Sequence, residues 1–213
     1  MLLGIDTATG SVGVALADTQ VRAERSQLDP RRQAEVLVPL IDAVLTEAGV
    51  TVAQLTGIAV GVGPGPFTGL RVGVTTARVL GAALGVAVHG VCSLDVIAAD
   101  VESDEPFAVA TDARRREVYW ATYSPSGERL SGPDVTAPAD LPAHVRQGPV
   151  AGSGPGLYSE IFADARPPVY PSAGTLIRIA AADLAAGRIA APQPLYLRRP
   201  DVTMPARPKS VTP

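Results

Sequence analysis

Residues 61–85 read GVGPGPFTGLRVGVTTARVLGAALG. A glycine- and proline-rich loop runs straight into a helical stretch whose small residues recur every fourth position: Gly69, Gly73, Ala77, Gly81 and Gly85. Glycine inside a helix costs roughly 1 kcal/mol relative to alanine, so such a row needs a packing reason. One face of the helix is nearly bare, and another backbone or helix can approach it closely. The loop before it, Gly63-Pro64-Gly65-Pro66, has the form of an anion-binding turn at a helix N-terminus. Two readings stand open: the loop holds a phosphate, or the helix holds a partner.

Working outward, IAVGV (58–62) reads as the strand feeding this loop and AVHGV (87–91) as the strand that follows the helix, with Ser93 placed to cap a helix over LDVIAADV. Strand–helix alternation of this kind predicts parallel β–α units. Upstream, LLGI ends at Asp6, the turn TATGS follows, and VGVAL and VRAERS complete a three-stranded meander. Gln33 to Ala48 carries apolar pairs at the helical period, and Gly49 is a C-terminal stop. Pro39 must bend this helix or mark its true start. Leu37, Ile41 and Val44 can face the sheet, which leaves Val38 and Leu45 to face something else.

The polar stretch ESDEP (102–106) predicts a boundary. Beyond it FAVATD (107–112), the turn ARRRE and VYWATY (118–123) repeat the opening plan, with Asp112 answering Asp6. PVAGSGPG (149–156) reads as a short strand and glycine turn, and Ser172–Gly187 as a capped helix. The expected division is residues 1–104, 105–190 and a Pro-rich tail over 191–213, with Tyr196 and Leu197 docked on the body.

The 213 residues carry a formal net charge of −3, which excludes a wholly basic nucleic-acid surface. Two basic clusters stand out, Arg114–Arg116 and the tail around Arg198, Arg199, Arg207 and Lys209; their plain reading is a solvated turn and a loose tail. The single cysteine, Cys92, forms no internal disulfide and suits a reducing cytosol. It reads as a buried structural thiol. Two histidines, His89 and His144, stand far apart and supply no paired metal motif. Gly152-Ser153-Gly154 lacks the spacing of a nucleophile elbow. The opening MLLGID has no basic leader, and the apolar run 79–92 is too short to span a bilayer.

Asp6 at a strand end followed by a Thr/Ser/Gly turn resembles the start of actin-like and sugar-kinase-like ATPases. There such a carboxylate holds hydrated Mg²⁺ and the turn cradles phosphate. On that reading Asp6, Thr7, Thr9, Gly63, Gly65, Thr68 and Asp112 are the nucleotide-loop positions. A competent ATPase also needs a glycine-rich loop in its second half, where this chain has bulky Ala113-Arg114-Arg115-Arg116.

The segments Ile5–Thr9, Gly63–Gly73, Gly90–Leu94, Asp112–Tyr119 and Pro194–Arg198 together resemble the TsaB (YeaZ) family, of the machinery that makes threonylcarbamoyladenosine in tRNA. The resemblance implies an α/β, actin-like (ribonuclease H-like) fold of two βββαβα-type lobes with a degenerate second lobe. It implies a cytoplasmic, non-catalytic subunit without metal or cofactor that pairs with the catalytic TsaD through first-lobe helices. The ATPase TsaE joins the pair, tRNA is engaged indirectly, and the isolated chain is expected to form a homodimer. Partner-binding positions on this reading are Val38, Leu45, Leu70, Arg71, Gly73, Val74, Thr75, Ala77, Arg78 and Gly81. Gly73→Leu or Val74→Glu is then expected to break pairing and leave the chain folded. The chain departs from the family pattern at Gln33-Ala34, where His-Ser is common, and at Val62 and Pro66, where Arg and Ser are common. The other reading is an active ATP-dependent enzyme of the sugar-kinase or carbamoyltransferase class using Asp6 and Asp112.

Overall fold

The computed structural model describes residues 1–198; Arg199, Arg207 and Lys209 lie outside the described residues. Strand β1 (Leu2–Asp6) pairs antiparallel with β2 (Ser11–Ala17), which pairs with β3 (Val21–Leu28). On its other side β1 pairs parallel with β4 (Gly57–Gly61), and β4 with β5 (Ala87–Val91). Helix α1 (Gln33–Ala48) runs through Pro39, so that proline does not mark its start, and Gly49 closes it in the left-handed conformation. Helix α2 (Phe67–Leu84) joins β4 to β5, and the short α3 (Ser93–Ala98) follows β5.

The second half repeats this order. Strand β6 (Phe107–Asp112) pairs antiparallel with β7 (Val118–Tyr123), and β7 with β8 (Arg129–Thr136). Beyond α4 (Ala143–Gln147), strand β9 (Pro149–Ala151) pairs parallel with β6. The short α5 (Gly154–Leu157) then leads to β10 (Asp164–Arg166), which pairs with β9. The two sheets therefore run β3-β2-β1-β4-β5 and β8-β7-β6-β9-β10, one topology used twice, with Asp6 and Asp112 ending the matching strands. Degeneracy of the second copy is visible in its helices: α4 and α5, of five and four residues, stand where α1 and α2 have sixteen and eighteen.

Strand alternation decides how the first sheet is covered. Leu3, Ile5, Val12, Val14, Leu16, Ile58 and Val60 point one way and pack under α1 and α2, with Leu37, Ile41 and Val44 of α1 buried as expected. The other face carries small residues, Gly4, Ala15, Ala17 and Ala59, and helix α6 (Ala173–Ala185) lies close against it through Leu176, Ile177 and Ala180. Helix α6 was expected among residues 105–190 as part of the second unit; it covers the first sheet instead. The reverse holds for α3, whose Leu94, Ile97 and Ala98 bury against Phe107, Val109 and Tyr123 of the second sheet. Each half thus sends its last helix to the other. Ser172 caps α6 by accepting from Thr175 N–H at 3.1 Å, and Gly187 ends it at φ 73°.

After α6 the chain crosses the edge of the first sheet. Gly90 N–H donates to the Ala190 carbonyl at 3.0 Å, and Leu195 N–H to the Val62 carbonyl at 2.8 Å. The expected docking of this segment is realised by Tyr196, whose hydroxyl accepts from Arg71 Nε at 3.2 Å. No helix among the described residues is long and apolar enough to cross a membrane.

Candidate functional site

Asp6 is buried at the end of β1 and both its oxygens are engaged. Oδ1 accepts from Ala8 N–H at 2.9 Å, and Oδ2 accepts from the Ser93 hydroxyl at 2.6 Å. Ser93 is therefore not the cap of α3, which has Cys92 at that position and no side-chain cap. Its hydroxyl instead ties the first strand to the loop, accepting from Gly63 N–H at 3.3 Å. Burial pushes the Asp6 carboxyl up to about 6, against the opposing pull of the Ser93 and Ala8 bonds.

Thr7 settles the glycine row. Its hydroxyl donates to the Gly69 carbonyl at 2.7 Å and accepts from Gly73 N–H at 3.0 Å. A Cβ on Gly73 would overlap that hydroxyl, one on Gly69 would overlap the Thr7 carbonyl and Gln33, and one on Gly81 would overlap Val88. The bare face of α2 is bare because the opening turn and β5 lie on it. Gln33 completes the arrangement by donating from Nε2 to the Thr9 carbonyl at 2.6 Å and to that of Thr7 at 3.2 Å. Nothing in the helical period of α1 singles out Gln33 for this role.

The glycine loop lies against the same turn. A Cβ on Gly65 would overlap the Ala8 carbonyl, so the two candidate phosphate loops fill one another's space. Thr68 is exposed and α2 has no side-chain cap. Asp112 stands apart from this cluster. It lines a cleft of about 390 Å³ between the lobes with Thr9, Pro66, Thr111, Arg114 and Ser153, whereas Asp6 does not line it. Its carboxylate accepts from Arg114 N–H at 2.7 Å and pairs with the Arg114 guanidinium at 3.1 Å. These residues do not fit a hydrated divalent cation. Asp6 is buried with each oxygen already accepting a hydrogen bond, Asp112 is paired with Arg114, and no buried side-chain polar atom among the described residues lacks a partner.

The positions expected to meet a partner divide sharply. Leu70, Gly73, Val74, Ala77 and Gly81 are buried inside the chain itself. They are corrected to core: the helical period was right, and the face it turns outward was misassigned. Leu45 is half-buried against the core. Val38, Arg71, Thr75 and Arg78 are exposed, together with Val79, which the sequence reading did not select.

Of the remaining reactive groups, His89 is buried. Its Nδ1 accepts from Ala190 N–H at 3.3 Å, and that bond leaves the proton on Nε2, 3.2 Å from Asp183. His144 is exposed on α4. Burial, reinforced by nearby Asp95, pushes the Cys92 thiol up to about 12. An aromatic-disulfide reagent is expected to leave Cys92 unlabelled in native protein and to react stoichiometrically in denaturant. Cys92 is half-buried, and rapid native labelling would contradict the suppression of its thiolate.

Two α/β lobes of one topology facing across a cleft define the actin-like, ribonuclease H-like class. Residues 27–159 match the family model described as "TsaD: tRNA N6-adenosine threonylcarbamoyltransferase". An uncharacterized protein of Mycobacterium tuberculosis is 45% identical over 94% of this chain and 92% of its own. The solved YeaZ from Pseudomonas aeruginosa is 30% identical, with a TM-score of 0.76 over 92% of this chain and 99% of that one. The tRNA threonylcarbamoyladenosine biosynthesis protein TsaB of Escherichia coli is 31% identical over 57% of this chain and 54% of its own. The chain belongs to the TsaB (YeaZ) family.

Proposed function

We propose that this chain is a non-catalytic, cytoplasmic subunit in the formation of threonylcarbamoyladenosine in tRNA, pairing with a catalytic TsaD subunit through the outer faces of α1 and α2. The filled cradle carries this reading. Gly65 lies on the Ala8 carbonyl, and both Asp6 oxygens are bonded within the chain. A phosphate loop must leave its N–H groups open to the ligand; this one has spent its space on internal packing. The outer faces of α1 and α2 offer a mixed surface: Val38 and Val79 are each 62% exposed on neighbouring helices, beside the exposed Arg71, Thr75 and Arg78, an apolar centre with a polar rim of the kind a protein partner can cover. On this reading the isolated chain pairs with a second copy through the same surface, and TsaE joins the TsaD pair without needing a nucleotide site here. Residues 1–104 then supply the pairing surface, and α6 from residues 105–190 braces it.

Calorimetry of the purified chain with ATP–Mg²⁺ is expected to give no binding heat, and co-expression with TsaD is expected to give a stable pair by size exclusion with light scattering. Clear ATP–Mg²⁺ binding by the isolated chain would overturn the non-catalytic reading in favour of an ATP-dependent enzyme.

A further inference from the structure

The turn between β6 and β7 holds three consecutive arginines in the left-handed region: Arg114, Arg115 and Arg116, at φ of 61°, 54° and 63°. That conformation disfavours any L-residue with a Cβ. A run of three persists only where surrounding contacts over-determine it, and such strain concentrates at functional sites. Here contacts hold the turn from both sides. Asp112 accepts from Arg114 N–H at 2.7 Å, and Glu117 N–H donates to the Arg114 carbonyl at 3.0 Å. From across the cleft Arg198 donates to the Ala113 carbonyl at 3.0 Å and pairs with Glu117. All three turn arginines are exposed.

The turn faces a groove of about 350 Å³ whose other walls are the first turn of α2 and the strap at 196–198. Phe67 and Tyr196 line it, 41% and 43% exposed, with ring centroids 5.0 Å apart. The Arg71 guanidinium sits 3.7 Å from the Phe67 ring centroid. Half-exposed aromatic rings beside arginines are the two-part chemistry of a site for unpaired nucleic acid. Rings stack bases, guanidinium groups take phosphates, and no base-paired partner is needed. Arg114, Arg115 and Arg198 line the groove and Arg71 lies over Phe67, against the carboxylates of Asp112 and Glu117, in a chain whose net charge is −3. The groove has room for a single splayed base, at the low end of the ~300–1,000 Å³ range of ligand pockets. It also lies some 18 Å along α2 from Val79, so pairing through that part of the helix leaves it open.

We propose that this groove binds unpaired RNA, stacking a base on Tyr196, which Phe67 backs, and holding an adjacent phosphate with Arg115, while Arg198 braces the turn. The choice of RNA rests on the tRNA-modification reading above; the aromatic pair is what distinguishes a base-bearing ligand from a bare polyphosphate.

Fluorescence anisotropy of the full chain, alone and paired with TsaD, tests this with a labelled RNA hairpin bearing an open loop and a blunt RNA duplex of equal length. The hairpin is expected to bind at least tenfold more tightly. Tyr196→Ala is expected to weaken hairpin binding about tenfold, and Tyr196→Phe to restore it. Arg115→Glu is expected to lower the slope of log K against log salt by about 0.7 for each phosphate that the variant no longer holds. Equal affinity for hairpin and duplex, unchanged binding by Tyr196→Ala with an unchanged melting curve, or complete competition by a mononucleotide at the same affinity would each overturn the proposal. Capture of TsaD is measured on the same variants. Loss of capture together with RNA binding would place the groove in the pairing surface and overturn its assignment to RNA, and loss of RNA binding in a chain that still captures TsaD supports the groove.

Discussion

Val74→Glu is expected to unfold the first lobe, whereas Val79→Glu, on the same helix, is expected to keep the wild-type melting temperature and abolish pairing with TsaD. The two valines differ in which way they face. Val74 is 3% exposed and packs in the core beneath α1 and α2; Val79 is 62% exposed. A carboxylate forced into the first environment has no partner there and costs several kcal/mol, a large fraction of a domain's total stability. In the second it remains in water. Gly73→Leu belongs with Val74→Glu. Its side chain would displace the Thr7 hydroxyl and break both bonds that hydroxyl makes, adding about 1 kcal/mol each to an overpacking cost of about 1–3 kcal/mol. Thermal melts by circular dichroism and co-purification on tagged TsaD measure the two effects separately. A Val74→Glu chain that melts like the wild type would refute the placement of α2, and a Val79→Glu chain that still captures TsaD would remove this part of the helix from the interface.

The second large effect concerns the carboxyl that resembles a catalytic one. Asp6→Asn is expected to stabilise the protein near pH 8 and to change little below about pH 4. The folded carboxyl, at about 6, lies above its ordinary value of 3.8. The folded state therefore holds the proton more tightly than the unfolded chain does. Stability from this group is fully present below the unfolded value and is lost as pH rises through about 6. Above that the buried charge costs on the order of 3 kcal/mol at most. Asparagine carries no charge, keeps an oxygen for Ala8 N–H and offers an N–H to the Ser93 hydroxyl. Urea midpoints at the two pH values decide the matter. Equal destabilisation by Asp6→Asn at both would mean that the carboxylate itself is needed by the fold.

Local signals in the sequence were good guides to local structure. The 3.6 period and Gly49 bounded α1 at 33–48, and β5, β6 and β7 begin and end where their apolar runs do. The pattern Asp6–turn–strand against Asp112–turn–strand reflected a real duplication. What stayed hidden was long-range. A glycine row announces that something lies close, but Thr7, which lies on it, is 66 residues from Gly73. Ser93 looked like a cap because its neighbours are helical, yet it is bonded to a carboxyl 87 residues away. Strand β8 went unread because Gly132-Pro133 interrupts it, a break tolerated on an edge strand. The candidate site divided the same way. The loop positions were legible as a motif, while the contact between Gly65 and Ala8 that fills the cradle appears only when the chain is folded.

The exchange of α3 and α6 between the sheets sets the order in which this protein can become stable during synthesis. All five strands of the first sheet have been synthesised by residue 91, but the face lined by Gly4, Ala15, Ala17 and Ala59 stays uncovered until residues 173–185 are made and emerge. Meanwhile α3 has no second sheet to bury its Leu94 and Ile97 against until the strands after residue 107 are made. Neither half is a self-sufficient folding unit. The nascent chain must carry exposed apolar surface through most of its translation, which is the interval in which chaperones act and aggregation competes.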